Sequence, residues 1–434
     1  MKYIQIAFTF LTLSVSHSND GFGQVVDVTG FLYDSLSGLP IESGHIFIED
    51  SAVGTISAKS GEFELKVPNG YRDAMVTISC MGYKRKVQPV NTFANNQRII
   101  LLVPGVTVLN EVNITSEIDS GYFILNKAIK AVENNYPRKR HQLEGFYREL
   151  SVRDTTYTRL IEASIVIEET GYQRTSFDRD DLDMTKSKIK IRELRKSDDN
   201  RTYDKIGALY NYVFGEKNDL YEILEDNYIR FLGTKSAHFL STNFMKEYDI
   251  RLAGTTEHNG KNVFVIMLDL LTKTFFQRNV KFYINKENFA FLKIENEMTL
   301  SVNDEKMQRM AIDGKYIYQS EVHYRKVKDR YVPFTIHCRK YASNTNPIVT
   351  TGENTHLQYI DLAFLLTSAN EDNLDKIRSK EKSQQDADIN NVDWPYNKAF
   401  WESYNILILN PPNPKAVTHL ERIRSLEKQF ENHD

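Results

Sequence analysis

The chain has 434 residues, 41% apolar and 26% charged, with a formal net charge of −3. That length predicts two or three domains, and those fractions are ordinary for a globular protein, so a packed core needs no special staples. A charge so near balance excludes an electrostatic case for nucleic acid or for an anionic membrane surface.

Residues 1–23 read as a secretory leader. Lys2 supplies the positive end, and the apolar run from Tyr3 to Val15 is too short to span a bilayer. Small residues offer cleavage after Ser18 or after Gly23; the second is preferred because β-patterning starts directly after Gln24. No Cys follows the apolar run, so no lipoprotein anchor is expected at the mature N-terminus, and no later run is long enough for a membrane helix. Cys80 and Cys338 alternate with apolar neighbours in separate segments and are expected to be buried free thiols, a disulfide between them being the alternative in an exported protein.

From residue 24 to 103 short β-rich runs are cut by Gly, Pro, Asn and Ser, which predicts a small antiparallel sandwich of seven strands, at 25–34, 44–50, 53–58, 62–67, 74–80, 83–90 and 98–103. Gly61 is expected at positive φ, folding Glu62–Val67 back on Val53–Ser57. Gly30, Asp34, Gly38-x-Pro40-Ile41, Gly54-Thr55, Gly61-x-Phe63-x-Leu65-x-Val67 and Ser79-x-x-Gly82-Tyr83, with the exit Leu109-x-Glu111-Val112, carry a family likeness. This stretch resembles the carboxypeptidase-regulatory-like domain, a transthyretin-like sandwich found at the N-terminus of many Gram-negative envelope proteins. Where that family often has an acidic residue before the second Gly, this chain has Ala58-Lys59-Ser60. The resemblance covers about a fifth of the chain and implies a fold and an envelope location, not an activity.

Residues 104–119 read as a linker with one strand at Val108–Thr115. A helix is expected over Ser120–Tyr136, with Ile124, Ala128, Ile129, Val132 and Tyr136 largely on one face and Pro137 ending it. The helix followed by Tyr-rich strands, at 143–149 and Tyr157–Glu169, is similar to the second region of uncharacterised envelope proteins. The charged run 171–204, with Asp178, Asp180, Asp181 and Asp183 ahead of Lys186, Lys188, Lys190, Arg192 and Arg195, is expected to be a solvated excursion; it lacks the spacing of a calcium loop. A second helix is expected over Leu220–Phe231, capped near Asn218.

From Tyr248 onward a β-meander is predicted. Asn259-Gly260 joins Arg251–His258 to Lys261–Leu271, Asp313-Gly314 joins Met307–Ile312 to Lys315–Val327, and Lys328-Asp329 leads into Arg330–Tyr341. Val280–Ile284 and Phe289–Leu300 flank a longer turn, and a last strand runs from about His356 to Leu366. Val263–Leu271, apolar in character, is expected at the centre of the sheet. Residues 120–370 therefore form an α+β domain with a large curved antiparallel sheet, which resembles the periplasmic lipoprotein-carrier half-barrel. Residues 371–392 read as a mobile charged linker, and 393–434 as a docking segment. That segment ends in one helix capped by Asn413, started by Pro414 and striped by Ala416, Leu420, Ile423, Leu426 and Phe430. The fold class is thus mainly β with a few helices.

Two clusters invite chemistry. The family name obliges a test for a zinc carboxypeptidase: His141-x-x-Glu144 fits the first ligand pair by letter, and His258 lies at a plausible distance for a third. Glu144 leads straight into a strand, however, and no motif for a catalytic Glu follows. If β-strands 315–327 and 330–341 pair, then Glu321, His323, His337 and Arg339 share a face; they could bind a metal, and are more simply an ion-pair ladder. No nucleophile elbow, P-loop or dinucleotide fingerprint is present. The expectation is an exported, non-catalytic binding or scaffolding protein with no cofactor, periplasmic or outer-membrane-associated. Its partner would be an envelope complex, a lipid or a glycan. A zinc hydrolase and a lipid or lipoprotein carrier are the alternatives.

Overall fold

The computed structural model describes residues 25–93, 98–105, 121–172, 187–201, 220, 222–234, 239–272, 276–300, 316–341, 358–372, 374–378, 392, 394–407 and 414–431. The expected leader, the strand at Val108–Thr115, the Asp313-Gly314 turn, the Asn218 and Asn413 caps and residues 379–391 lie outside these residues.

Seven strands open the chain: β1 Val25–Asp34, β2 His45–Ile48, β3 Gly54–Ile56, β4 Glu62–Pro68, β5 Met75–Ser79, β6 Lys86–Pro89 and β7 Arg98–Leu102. They form two sheets, β4-β1-β7 and β3-β2-β5-β6. Alternation builds the core between them: Phe63, Leu65 and Val67 point inward from β4, meeting Val28, Leu32, Ile46, Ile78 and Phe93. Two details correct the sequence reading. β7 runs parallel to β1, so the sandwich is not wholly antiparallel. Gly61 does sit at φ +81, but β4 pairs with β1 and not with Val53–Ser57. The turn fixes that the chain reverses; it does not fix which sheet the next strand joins. Leu32 N–H donates to the Gly61 carbonyl at 2.8 Å and holds that turn against β1.

A ten-stranded antiparallel sheet follows. Helix α1 (Gly121–Asn135) leads into β8 His141–Arg153, β9 Thr156–Glu169 and β10 Lys188–Lys196. After short helices α2 (Glu222–Asp226) and α3 (Thr242–Met245) come β11 Tyr248–His258, β12 Lys261–Leu270, β13 Phe276–Asn285, β14 Phe291–Leu300, β15 Tyr316–Val327, β16 Arg330–Tyr341 and β17 Gln358–Asn370. Their order is β10-β9-β8-β17-β16-β15-β14-β13-β12-β11. β17 thus closes the meander onto β8, which returns the chain to the start of the sheet.

Two expectations fail here for one reason: burial does not track apolar runs. Lys188–Lys196, expected to be a solvated excursion, is edge strand β10, with Ile189, Ile191 and Leu194 buried between its basic residues. Val263–Leu271 is not central, because β12 lies next to the edge strand β11. The most fully buried strands are instead the charge-bearing β8 and β9, whose charges pair with one another and with Arg195 of β10. Arg148 bonds Glu162 at 2.6 Å, Arg195 bonds the same carboxylate at 2.5 Å, and Arg159 pairs with Glu149.

One face of the sheet is covered by α1, through Ile124, Leu125, Ala128 and Val132, and by Leu220, Ile223, Leu224, Ile229 and Leu232. Tyrosines tie this cover down: Tyr136 Oη donates to the Phe291 carbonyl at 2.7 Å, and Tyr228 Oη donates to Asp226 at 2.7 Å. The helix expected over Leu220–Phe231 is α2 followed by a 3-10 turn at Tyr228–Arg230.

The opposite face carries the sandwich and the C-terminal segment. Helix α4 (Lys398–Ser403), capped by Asn397, sets Trp401 against Phe146. The expected single last helix is two, α5 (Pro414–Leu420) and α6 (Leu426–Glu431), and Ile423 between them is 78% exposed rather than part of a stripe. Buried Gln429 explains the break: its amide donates to the carbonyls of Leu420 and Arg424 at 2.8 and 2.7 Å. Part of the expected mobile linker is docked instead. Gln142 exchanges two hydrogen bonds with the Asp375 backbone, at 2.5 and 3.0 Å, and Ile377 is buried.

Candidate functional site

Strand pairing assembles a polar ladder across the sandwich-facing side. β15 and β16 align Glu321 with His337 and Gln319 with Arg339. β17 adds Asp361 opposite Arg339, and β14 adds Lys293 opposite His323. Period-two alternation puts these side chains on one face, so Glu321, His323, His337 and Arg339 do meet.

Each charge is answered by a neighbour. Asp361 accepts from His337 Nε2 at 2.9 Å and from Arg339 Nε at 3.0 Å. Burial alone would push the Asp361 carboxyl up, but those two cations hold it below the usual carboxylate range. Burial likewise opposes a charged His337, yet Asp361 raises it above an ordinary histidine. Lys293 Nζ lies 2.8 Å from both Glu321 and Glu295. Despite burial, Lys293 and His323 hold Glu321 well below the usual range.

The sandwich sets three histidines over one end of the ladder. His45 from β2 packs its ring 4.4 Å from His323 and 5.9 Å from His258, centroid to centroid, with Phe334 at 5.1 Å. His45 Nε2, His258 Nδ1 and His323 Nδ1 are buried without a hydrogen-bond partner. Burial first keeps all three neutral, reinforced at His45 and His258 by the neighbouring imidazole of His323 and opposed at His323 by Glu321: His45 falls well below the usual imidazole value, His258 drops to about 3 and His323 is lowered. Beside them Arg325 donates to the Ser51 carbonyl at 2.8 Å and lies between the Phe47 and Phe334 rings, 4.7 and 3.9 Å from their centroids. Its burial lowers the guanidinium to about 9. Cys80, expected to be buried, is only partly so; Cys338 is buried, and both are free thiols.

A cavity of about 50 Å³ remains where Ser57 and Ala58 of the sandwich face Arg148, Glu321, His337 and Asp361. That is room for a few waters, well below the roughly 300 Å³ at which small-molecule sites begin.

The candidate zinc ligands are scattered. His141 and Glu144 are three residues apart on β8 and so project from opposite faces. Glu144 pairs with Arg192 at 3.0 Å, while His141 packs against Tyr172. Six strands separate β8 from β11, which carries His258 into the histidine cluster instead. Among the described residues no three His, Cys, Asp or Glu side chains are arranged to hold a metal ion. Reading the sequence missed His45, Lys293, Arg325 and Asp361. Asp361 carried a signal, as a lone acid inside the apolar run Ile360-Asp361-Leu362; His45 carried none, because its partners come from another sheet.

No protein-family model matches the chain, and no curated protein matches it. Solved structures similar over part of the chain include a LolA superfamily protein from Nitrosomonas europaea, 12% identical, covering 62% of this chain and 99% of that one at a TM-score of 0.23. A DUF1329 family protein from Desulfovibrio piger is 8% identical, covering 59% and 95% at 0.27. MucB from Pseudomonas aeruginosa, in its complex with MucA, is 9% identical, covering 58% and 98% at 0.18. These scores are too low to define a common fold.

Proposed function

We propose that this chain is an exported envelope protein that binds or scaffolds partners without catalysing a reaction, a carboxypeptidase-regulatory-like sandwich at 24–103 being fixed across the sheet of an α+β domain at 120–370. The observation that carries the non-catalytic reading is the interlocked ladder. Where histidines, acids and bases gather, Lys293 neutralises Glu321, which is also hydrogen-bonded to His323, while His337 and Arg339 neutralise Asp361. The space left over them is about 50 Å³. A catalytic group needs a reachable substrate position and a spare proton or lone pair toward it. Export rests on the leader read in residues 1–23. Among the described residues no helix is long and apolar enough to cross a membrane, which says nothing about a β-barrel. The acyl-carrier alternative has less support, because α1 and Leu220–Leu232 side chains fill the sheet's other face.

Expression with its own leader in a Gram-negative host tests this reading. The mature chain is expected in the envelope fraction, beginning at Gln24, or at Asn19 if cleavage follows Ser18. An uncleaved cytoplasmic chain would overturn export. Stoichiometric zinc together with peptidase activity in the purified protein would overturn the non-catalytic reading.

A further inference from the structure

The sandwich meets the large sheet through histidines contributed from both sides. His45 comes from β2, while His258 ends β11 and His323 lies in β15. The contact is close: a Cβ added at Gly54 of β3 would lie 2.6 Å from Arg325 Nη1 and 2.9 Å from the Phe334 ring. Each unit has a core of its own, Val28, Leu32 and Phe63 in the sandwich, Ile266, Phe282 and Phe291 in the sheet. Separating the units would uncover the histidines and leave most of either core closed.

The cluster has no place for added charge. His323 Nε2 is hydrogen-bonded to the Glu321 carboxylate, which can only accept, so Nε2 carries the ring's proton and Nδ1 its lone pair. His323 Nδ1, His258 Nδ1 and His45 Nε2 are buried without a hydrogen-bond partner. A proton added at His323 Nδ1 would point at no acceptor, with the His45 ring 4.4 Å away, centroid to centroid.

The surrounding charges are already matched. Arg325 of β15 and Lys293 of β14 stand against Glu321 and Glu295 of the same two strands, and Glu295 also pairs with Lys281 at 3.4 Å. On the sandwich side Glu49 is taken up by Arg85 at 3.2 Å, and burial pushes the Cys80 thiol up to about 11, so it stays neutral. In β16, His337 and Arg339 are bonded to Asp361. Every imidazolium formed in the cluster therefore adds a positive charge that no carboxylate is left to balance.

The sign of the pH dependence follows. Docked, the three rings are held below an ordinary imidazole; released into water, they bind protons near pH 6.5. The open form takes up more protons as pH falls. Docking is thus fully present above pH 6.5 and weakens below it by up to about tenfold per pH unit for each ring. His337 does not oppose this, because its partner Asp361 belongs to the sheet and stays with it.

We propose that His45, His258 and His323 form an acid switch, whose protonation between about pH 6.5 and 4.5 drives the β2–β3 face of the sandwich off β15 and β16 while both units stay folded. Release uncovers Phe47 on one side and Arg325 and Phe334 on the other. This goes beyond the binding reading and holds whether or not the chain is exported.

The test is hydroxyl-radical footprinting of the whole mature chain from pH 7.5 to 4.5, read by mass spectrometry at four buried phenylalanines. Phe47 and Phe334 report the interface; Phe63 and Phe282 report the two cores. Labelling of Phe47 and Phe334 is expected to rise steeply below pH 6.5, with Phe63 and Phe282 still protected. His45→Phe removes one proton from the transition, so the opening constant should climb up to about tenfold less per pH unit. Should that variant misfold, His258→Asn, at a half-buried position on the edge strand, should flatten the transition likewise. Protection of Phe47 and Phe334 that persists to pH 4.5 overturns the proposal. So does labelling of all four rings together, which is unfolding of the whole chain, and so does a steepness unaltered in both variants. None of these outcomes bears on export or on the absence of catalysis, which the fractionation and zinc measurements decide separately.

Discussion

His45 shows how one side chain couples distant parts of the sequence. It is 3% exposed, with two other imidazoles, the Phe334 ring and Arg325 about it, and Glu321 and Lys293 on the strands beneath. All three imidazoles are held neutral in the folded chain, whereas in the unfolded chain they protonate near pH 6.5. The unfolded state therefore binds more protons as pH falls, and stability drops from about pH 6.5 downward. His337 has the opposite sign: its raised value gives stability that is fully present below pH 6.5 and is lost as pH rises through the folded value. His141, lowered by its own burial, acts in the same direction, so four groups oppose one and stability should fall between pH 6.5 and 5. In His45→Phe the slope over that window should shrink by up to about 1.4 kcal/mol per pH unit. Urea unfolding at a series of pH values measures it, and an unchanged slope would show that His45 does not stay neutral. Gly61 makes a simpler case. At φ +81, with an added Cβ landing 2.4 Å from the Leu32 carbonyl oxygen, Gly61→Ala should cost at least about 1–2 kcal/mol by the same unfolding measurement at pH 7.

The C-terminal helices show how an element is held by one polar residue rather than by its own length. α5 and α6 are seven and six residues long, too short to persist alone. They are held by Ala416, Leu420 and Phe430 against Leu150, Val152 and Leu160, and by Gln429, which also accepts from the Asp198 backbone at 2.9 Å. Gln429→Ala should remove roughly 1–3 kcal/mol locally. Amide exchange should quicken across Pro414–Glu431 and stay unchanged across Val25–Leu102; uniform quickening would mean the segment is part of the main core. These helices also mark what the sequence could disclose. Strand positions were legible, because turn residues and alternation are local: all seven sandwich strands lie within a few residues of their expected bounds, and so do α1, β8, β9 and the hairpin at Asn259-Gly260. Partnering was not legible. That β4 joins β1, that β7 runs parallel, and that charged β10 lies in the sheet all depend on contacts between remote segments. The ladder at Glu321, His323, His337 and Arg339 was readable because a two-residue turn fixes its register. Its covering partner His45 was not, since nothing near Glu321 in the chain announces it.

The sandwich meets the large sheet, and the C-terminal segment packed on it, through contacts of three kinds. Lys66 and Asn405 exchange two hydrogen bonds, at 2.7 and 2.9 Å. Gly82 N–H donates to the Glu257 carbonyl at 2.8 Å. Between them lies the patch of His45, Phe47 and Gly54 against His323, Arg325 and Phe334. A buried aromatic patch flanked by polar ties resists sliding as well as separation. Such an interface also couples the two units in unfolding, since neither can lose its contacts without uncovering the other. A single thermal transition is therefore expected at pH 7. Arg325 is the natural point at which to break the coupling. It belongs to the sheet, so its removal leaves every residue of the sandwich intact, yet it supplies both the bond to the Ser51 carbonyl and the stack on Phe47. Arg325→Ala should cost roughly 1–3 kcal/mol and divide the unfolding into two steps, the sandwich first. Calorimetry with amide exchange over Val25–Leu102 distinguishes the cases. One transition with an unmoved midpoint would show that the polar ties alone hold the two units together and that the aromatic patch contributes little.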